Sequence, residues 1–191
     1  MTSHTKDKIL TGAARLFFSE GFSTGIDRVV SECGVAKMTL YQHFKSKDGL
    51  ICAILHEVQS FILNHIRIET ARNAKPPAAQ LEAIAHILCE AMTDPEAKAG
   101  LAVRALAEFP DPRNPVHAKA RHVDLEILNI LEPRCTEASL PNARQAARQI
   151  LQIAKGHFLM APTLGIETSR TLSFELLDVL LAAASDSLAT Q

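Results

Sequence analysis

The sequence predicts an all-α protein of about nine helices, on three observations. Helical periodicity of apolar residues recurs along nearly the whole chain. Runs of alternating β-branched residues are missing, so strands are not expected. The breakers fall between the periodic stretches, at Asn73–Pro77, Thr93–Pro95, the stretch FPDPRNPV at 109–116, Pro133–Pro141 and Ala161–Gly165. The helices expected are 5–20, 25–33, 37–43, 46–72, 78–92, 95–108, 115–132, 141–160 and 167–188.

In the first helix Ile9, Leu10, Ala13, Leu16 and Phe17 share one face, and Gly21 ends it. Ile26, Val29, Val30 and Cys33 repeat that face in the second. Thr24 is placed to cap the second helix, with Asp27 reaching back in a T-x-x-D variant of the capping box. Gly34 supplies the turn, and Val35, Leu40 and Phe44 form the next apolar set. Helix 46–72 opens on the cap Ser46, has no proline or glycine after Gly49, and is about 40 Å long. Ala143, Ala147, Ile150, Leu151, Ala154 and Phe158 form a stripe on helix 141–160. Leu172, Leu176, Leu177, Val179, Leu180 and Ala183 form a broader one on helix 167–188, which is apolar beyond one face and so favours a partner.

The chain of 191 residues is 47% hydrophobic and 21% charged, with a formal charge of −1, which places it among globular proteins rather than disordered ones. Near-neutrality excludes nucleic-acid binding through bulk charge, so any such binding must be local. Residues 1–50 hold the cations Lys6, Lys8, Arg15, Arg28, Lys37, Lys45 and Lys47 against the acids Asp7, Glu20, Asp27, Glu32 and Asp48, a balance of +2; the rest carries −3. Cys33, Cys52, Cys89 and Cys135 are widely separated and have no zinc-type spacing. They read as reduced, mostly buried thiols. The start MTSHTKDKIL has no apolar signal region, and no apolar run approaches the roughly 20 residues of a membrane span. The expectation is a cytoplasmic protein that does not engage a membrane.

Residues 24–44 place about three residues between two short helices, the spacing of a helix-turn-helix whose second helix enters the DNA major groove. An ordinary helical hairpin shares that spacing. The outer face of helix 37–43 separates the two, because Lys37, Thr39, Tyr41, Gln42 and His43 gather polar donors there while Leu40 and Phe44 face inward.

The segment GIDRVVSECGVAKMTLYQHFKSKDGL at 25–50 resembles the DNA-binding region of the tetracycline-repressor-like (TetR/AcrR) transcription regulators. The shared features are the Gly34-Val35 turn, the T-L-Y-x-H-F core of Thr39 to Phe44, and the K-S-K-D that opens the following helix. The resemblance covers residues 5–55; beyond them it rests on length and an all-helical pattern. It implies a homodimeric regulator that binds double-stranded operator DNA. A helix-turn-helix domain at 1–50 would precede a ligand-binding and dimerisation domain at 51–191.

Family roles carried onto matching positions give Thr24 a phosphate contact through its hydroxyl and backbone N–H, aided by the helix dipole. Tyr41, His43 and Lys47 would contact the backbone. Lys37, Met38, Thr39 and Gln42 would approach base edges, with Lys37 donating to guanine, Gln42 to adenine, and the Met38 and Thr39 methyls packing on thymine. Three positions depart from the common pattern: Val30 stands for a small alanine, Ala36 for a serine cap, and Met38 for glycine or proline. By the same resemblance, a ligand that shifts the far end of helix 46–72 would swing the heads off the spacing of successive major grooves.

Helices 141–160 and 167–188 are expected to form the homodimer contact as a four-helix bundle. Phe61, Ile62, His65, Leu88, Cys89, Met92, Leu106, Phe109, Leu128 and Phe158 are candidates to line a cavity for a small, mostly apolar effector. His65 stands out as a polar group on an apolar stretch, although every one of these residues would also serve a plain core. Catalysis is not expected: E-x-x-H, G-x-S-x-G, P-loop and glycine-rich nucleotide motifs are absent. His117 and His122 lie on different helical faces, and His4, His56, His86 and His157 are isolated, so neither a metal nor a cofactor is called for. The competing reading is a helical dimer that binds a ligand or protein partner but not DNA; the retained Tyr41, His43 and Lys47 speak against it.

Overall fold

A computed structural model describes the backbone of residues 2–71 and 75–188, and side chains of 4–71 and 75–182. Among these residues every regular element is helical. The order is α1 (Thr2–Glu20), α2 (Ile26–Cys33), α3 (Lys37–Phe44), α4 (Lys47–Ala71), α5 (Pro77–Thr93), α6 (Gly100–Glu108), α7 (Pro115–Glu137), α8 (Ala143–Leu164) and α9 (Ile166–Leu188). The breaker residue Asn73 and the side chain of Ala183 lie outside the described residues.

Two compact units divide the chain, residues 1–59 with 98–123, and residues 60–97 with 124–191. In the first, which contains α1–α3, the expected faces of α1 and α2 meet: Ile9, Ala13, Phe17, Val29, Cys33 and Leu40 are fully buried. A Cβ at Gly12 would stand 2.7 Å from Cys33 Sγ, so the close approach of α1 to α2 is made at Gly12. Val30, which stands for the small alanine, is half-buried. In the second unit α5, α8 and α9 pack together around Leu81, Ile84, Leu88, Ile150, Ala154 and Leu177.

Several boundaries differ from expectation, for local reasons. Helix α6 begins at Gly100 rather than 95, because Asp94 Oδ1 accepts the Glu96 N–H at 2.8 Å and Lys98 takes φ 55°. Helices α7 and α8 run through Pro133 and Pro162, which were expected to break them. Each proline forfeits one backbone hydrogen bond. Both sit near a helix end, where one bond fewer is tolerated. Gly165, at φ 83°, provides the actual stop of α8. Helix α4 is long and apolar enough by composition to span a membrane, contrary to the sequence expectation. Its apolar stripe, Leu50, Ile51, Ile54, Leu55, Val58, Ile62 and Ile66, is buried in the fold.

Candidate nucleic-acid interface

The turn between α2 and α3 is made by Gly34, whose left-handed φ of 59° lets its N–H reach Ser31 O while the Val35 N–H reaches Val30 O. This double closure ends α2 and aims α3. Leu40 and Phe44 are buried beneath α3. At 3.6 residues per turn, Met38 and Gln42 then fall on the far side of the helix. Met38 is 70% exposed, too much for a core methionine. Lys37 and Tyr41 flank that ridge on one side and Thr39 and His43 on the other. The predicted contact residues of α3 are therefore one continuous outer surface, with two side chains at the crest and two pairs of donors on its slopes.

Two details of the expected chemistry are corrected. Thr24 does not cap α2: the N-cap is Gly25, without a side-chain bond, and Thr24 Oγ1 donates backward to Gly21 O at 2.8 Å. Phosphate binding through that hydroxyl requires the bond to Gly21 to be exchanged. Lys37 is also engaged in the free protein, by Asp27 Oδ1 at 2.8 Å, a pairing that raises its pKa. Other basic groups of the head are paired as well. Arg28 binds Glu20 at 3.2 Å and Glu32 at 3.1 Å, and Arg15 binds Glu32 at 3.0 Å.

At the exit of α3 the chain turns sharply. Lys45 takes φ 60° and ψ −35°, and the Ser46 N–H donates to Phe44 O at 2.6 Å, forming a positive-φ γ-turn. Such a turn is strained for a residue with a Cβ. Ser46 Oγ then accepts the Gly49 N–H at 3.0 Å, the expected cap of α4, and sets Lys47 in its first turn.

A further link of the head is not visible in the sequence. The Phe22 N–H, just past α1, donates to Glu108 Oε2 of α6 at 3.0 Å. The Phe22 ring sits 5.7 Å from that of Phe109. Phe109 and Leu106 thus belong to the unit that contains α1–α3. The other eight candidate ligand residues belong to the second unit, so the set of ten is divided. Ile62, Leu88, Cys89 and Met92 are buried there, and Phe61, Leu128 and Phe158 half-buried. Burial pushes the Cys89 thiol up to about 12, making it an apolar wall rather than a nucleophile. His65 is exposed, its Nδ1 2.9 Å from Phe61 O and its ring 4.0 Å from the Phe61 ring, and does not point into the interior.

The stripe on α8 is likewise reassigned. Ala147, Ile150, Leu151 and Ala154 are buried within the single chain. The face of α8 turned outward carries Ile153, Gly156 and Met160. Together with Leu172, Leu176 and Val179 of α9 they line an apolar groove of about 660 Å³. The i, i+3, i+7 spacing of Ile153, Gly156 and Met160 was readable, but the longer internal stripe masked it.

Comparison with known proteins agrees with this geometry. Residues 9–54 match the sequence family described as bacterial regulatory proteins, tetR family. The chain is 27% identical over 164 residues to the HTH-type transcriptional regulator LmrA of Bacillus subtilis, covering 83% of this chain and 87% of LmrA. It is 35% identical over 79 residues to the HTH-type regulator YerO of the same organism, a match spanning 40% of this chain and only 27% of YerO. The crystal structure of a TetR-family transcriptional regulator from Streptomyces coelicolor superposes with a TM-score of 0.85 at 26% identity, covering 96% of this chain and 97% of that one. AibR, solved in complex with isovaleryl coenzyme A and operator DNA, shares the fold with a TM-score of 0.69 at 19% identity over 91% of this chain and 97% of its own. A Gly34-turned helix pair with a polar outer ridge, matched by sequence over residues 9–54 and by fold along nearly the whole chain, is that of a DNA-binding transcriptional regulator, and the chain is similar to the regulators of the TetR family.

Proposed function

We propose that the protein is a cytoplasmic homodimeric repressor that leaves its operator when a small, mostly apolar molecule binds its helical body. The observation that carries the DNA-binding role is the ridge of α3, with Met38 and Gln42 at the crest and Lys37, Tyr41, Thr39 and His43 on the slopes. Lys37, Met38, Thr39 and Gln42 would read base edges; Tyr41, His43 and Lys47 would hold phosphates, joined by Thr24 once its hydroxyl turns from Gly21. In this reading residues 1–50 read DNA and residues 51–191 sense and dimerise.

A second copy is the proposed occupant of the α8–α9 groove. Leu159, Met160, Leu164, Ile166, Leu172, Leu176 and Val179 are all exposed large apolar side chains in the single chain, a concentration that a monomer in water does not favour. For the effector, the buried apolar character of Ile62, Leu88, Cys89 and Met92 in the second unit supports an apolar molecule. Transmission has two continuous rods available, since α4 and α7 each begin in the first unit and end in the second. Glu108 fastens α6 to the end of α1, beside the Gly21 carbonyl that holds Thr24.

Titration of the protein against promoter DNA flanking its own gene tests the reading. Saturable binding at low salt is expected. Lys47→Ala should weaken binding to all sequences alike and reduce the salt slope by about one, whereas Gln42→Ala should alter sequence preference by roughly tenfold. Absence of binding to any such fragment at low salt overturns the repressor assignment.

A further inference from the structure

We propose that Glu82, His86 and Asp178 form a binding site for a divalent transition-metal ion that ties α5 to α9. Glu82 and His86 stand one turn apart on the same face of α5, and the packing of α5 against α9 brings Asp178 to them. A ring nitrogen of His86 and one carboxylate oxygen from each acid lie within 4.8 Å of one another. Ions of this class hold nitrogen and oxygen donors at about 2.1 Å, so tetrahedral donors sit about 3.4 Å apart. Both acids are exposed, and small rotations of their side chains close the remaining distance.

The histidine is the fixed member. Its ring stacks on Phe174, one turn before Asp178, with centroids 4.0 Å apart and planes inclined by 19°. Its Nε2 is shielded from solvent and has no hydrogen-bond partner among the described residues. A buried ring nitrogen without a partner is costly, and an ion bound to the imidazole would relieve that cost. Two anionic oxygens and one imidazole nitrogen make a donor set for Zn²⁺, Co²⁺ or Ni²⁺. Mg²⁺ and Ca²⁺, which prefer oxygen throughout, are disfavoured by the histidine. Three protein ligands leave a fourth position for water. The sequence conceals the site because the third ligand is 92 positions beyond His86.

The test uses the full chain stripped of metal with a chelator and titrated with Zn²⁺ by calorimetry, with Mg²⁺ as comparison and Co²⁺ as a spectroscopic probe. One Zn²⁺ per chain is expected, with a higher Tm and a Co²⁺ ligand-field spectrum of mixed nitrogen and oxygen ligation. The double variant Glu82→Gln, Asp178→Asn leaves the buried packing untouched, and His86→Phe keeps a ring against Phe174. Each should bind Zn²⁺ at least tenfold more weakly while retaining the helical far-ultraviolet spectrum. Failure of the unmodified protein to bind Zn²⁺ stoichiometrically overturns the site. So does undiminished binding by either variant, which would assign the ion to other histidines or to thiols. None of these readouts depends on DNA binding.

Discussion

Lys37 shows how a single side chain holds competing obligations. In the free protein its ammonium is bound by Asp27, an exposed pair that bridges α2 and α3. To donate to a guanine or a phosphate it must let the carboxylate go, and Asp27 is itself an anion on the DNA-facing head. Both effects oppose binding, although an exposed pair is weakly held. Replacing Asp27 by Asn should therefore strengthen operator binding modestly, by roughly two- to fivefold at low salt, and strengthen binding to unrelated DNA by a similar factor, because the gain is electrostatic. Fluorescence anisotropy with specific and random duplexes reads both. Unchanged affinity for both duplexes would show that Lys37 stays outside the interface. The same trade applies to Thr24, whose hydroxyl is committed to Gly21 in the free state.

Among elements, those whose ends are set locally were legible and those set by distant contacts were not. The helices of the head fell close to their expected limits because Gly34 and Ser46 act within a few residues. The outer ridge of α3 followed from two buried positions, Leu40 and Phe44. Pairings such as Glu108 with Phe22 were hidden, because nothing near either residue announces the other. The two faces of α8 were confused since both are apolar and only tertiary packing decides which is inside. His157 is the sharpest case of a residue set aside as isolated. It is buried on α8, with Nδ1 2.9 Å from Ser169 Oγ of α9 and Nε2 3.0 Å from Thr93 Oγ1 of α5. Ser169 Oγ donates to the His157 carbonyl, so it accepts from Nδ1–H, and Nε2 is left to accept from Thr93. The ring is neutral in this arrangement, and burial lowers its pKa below the ordinary 6.5. The unfolded chain then takes up a proton that the folded chain resists. The His157 contribution to stability is full above pH 6.5 and is lost as pH falls through the folded value. Urea unfolding from pH 7.5 to 5 should show this decline, and His157→Leu should flatten it while costing stability at pH 7.5. A decline of equal steepness in the variant would place the titration elsewhere.

At the scale of the molecule the decisive quantity is how two weakly charged heads hold DNA. A net charge of −1 leaves little non-specific attraction, and several head cations are already paired within the fold. One head offers only a few aimed contacts, so useful affinity requires two heads engaging successive major grooves together. The α8–α9 face is where that joining is expected: Leu176 and Val179 are 57% and 73% exposed, yet they line an apolar groove. Leu176→Glu tests the link because it spares the buried core of the single chain, whose neighbouring Leu177 stays fully covered. In a dimer joined through this groove it would place a carboxylate in an apolar contact, where desolvation opposes association. The variant should sediment as a monomer with an unchanged helical spectrum. Its operator affinity should fall by about 100-fold or more, the scale of an avidity lost. A variant that remains dimeric would move the interface off this groove. A monomer that still binds the operator at full strength would show that one head suffices.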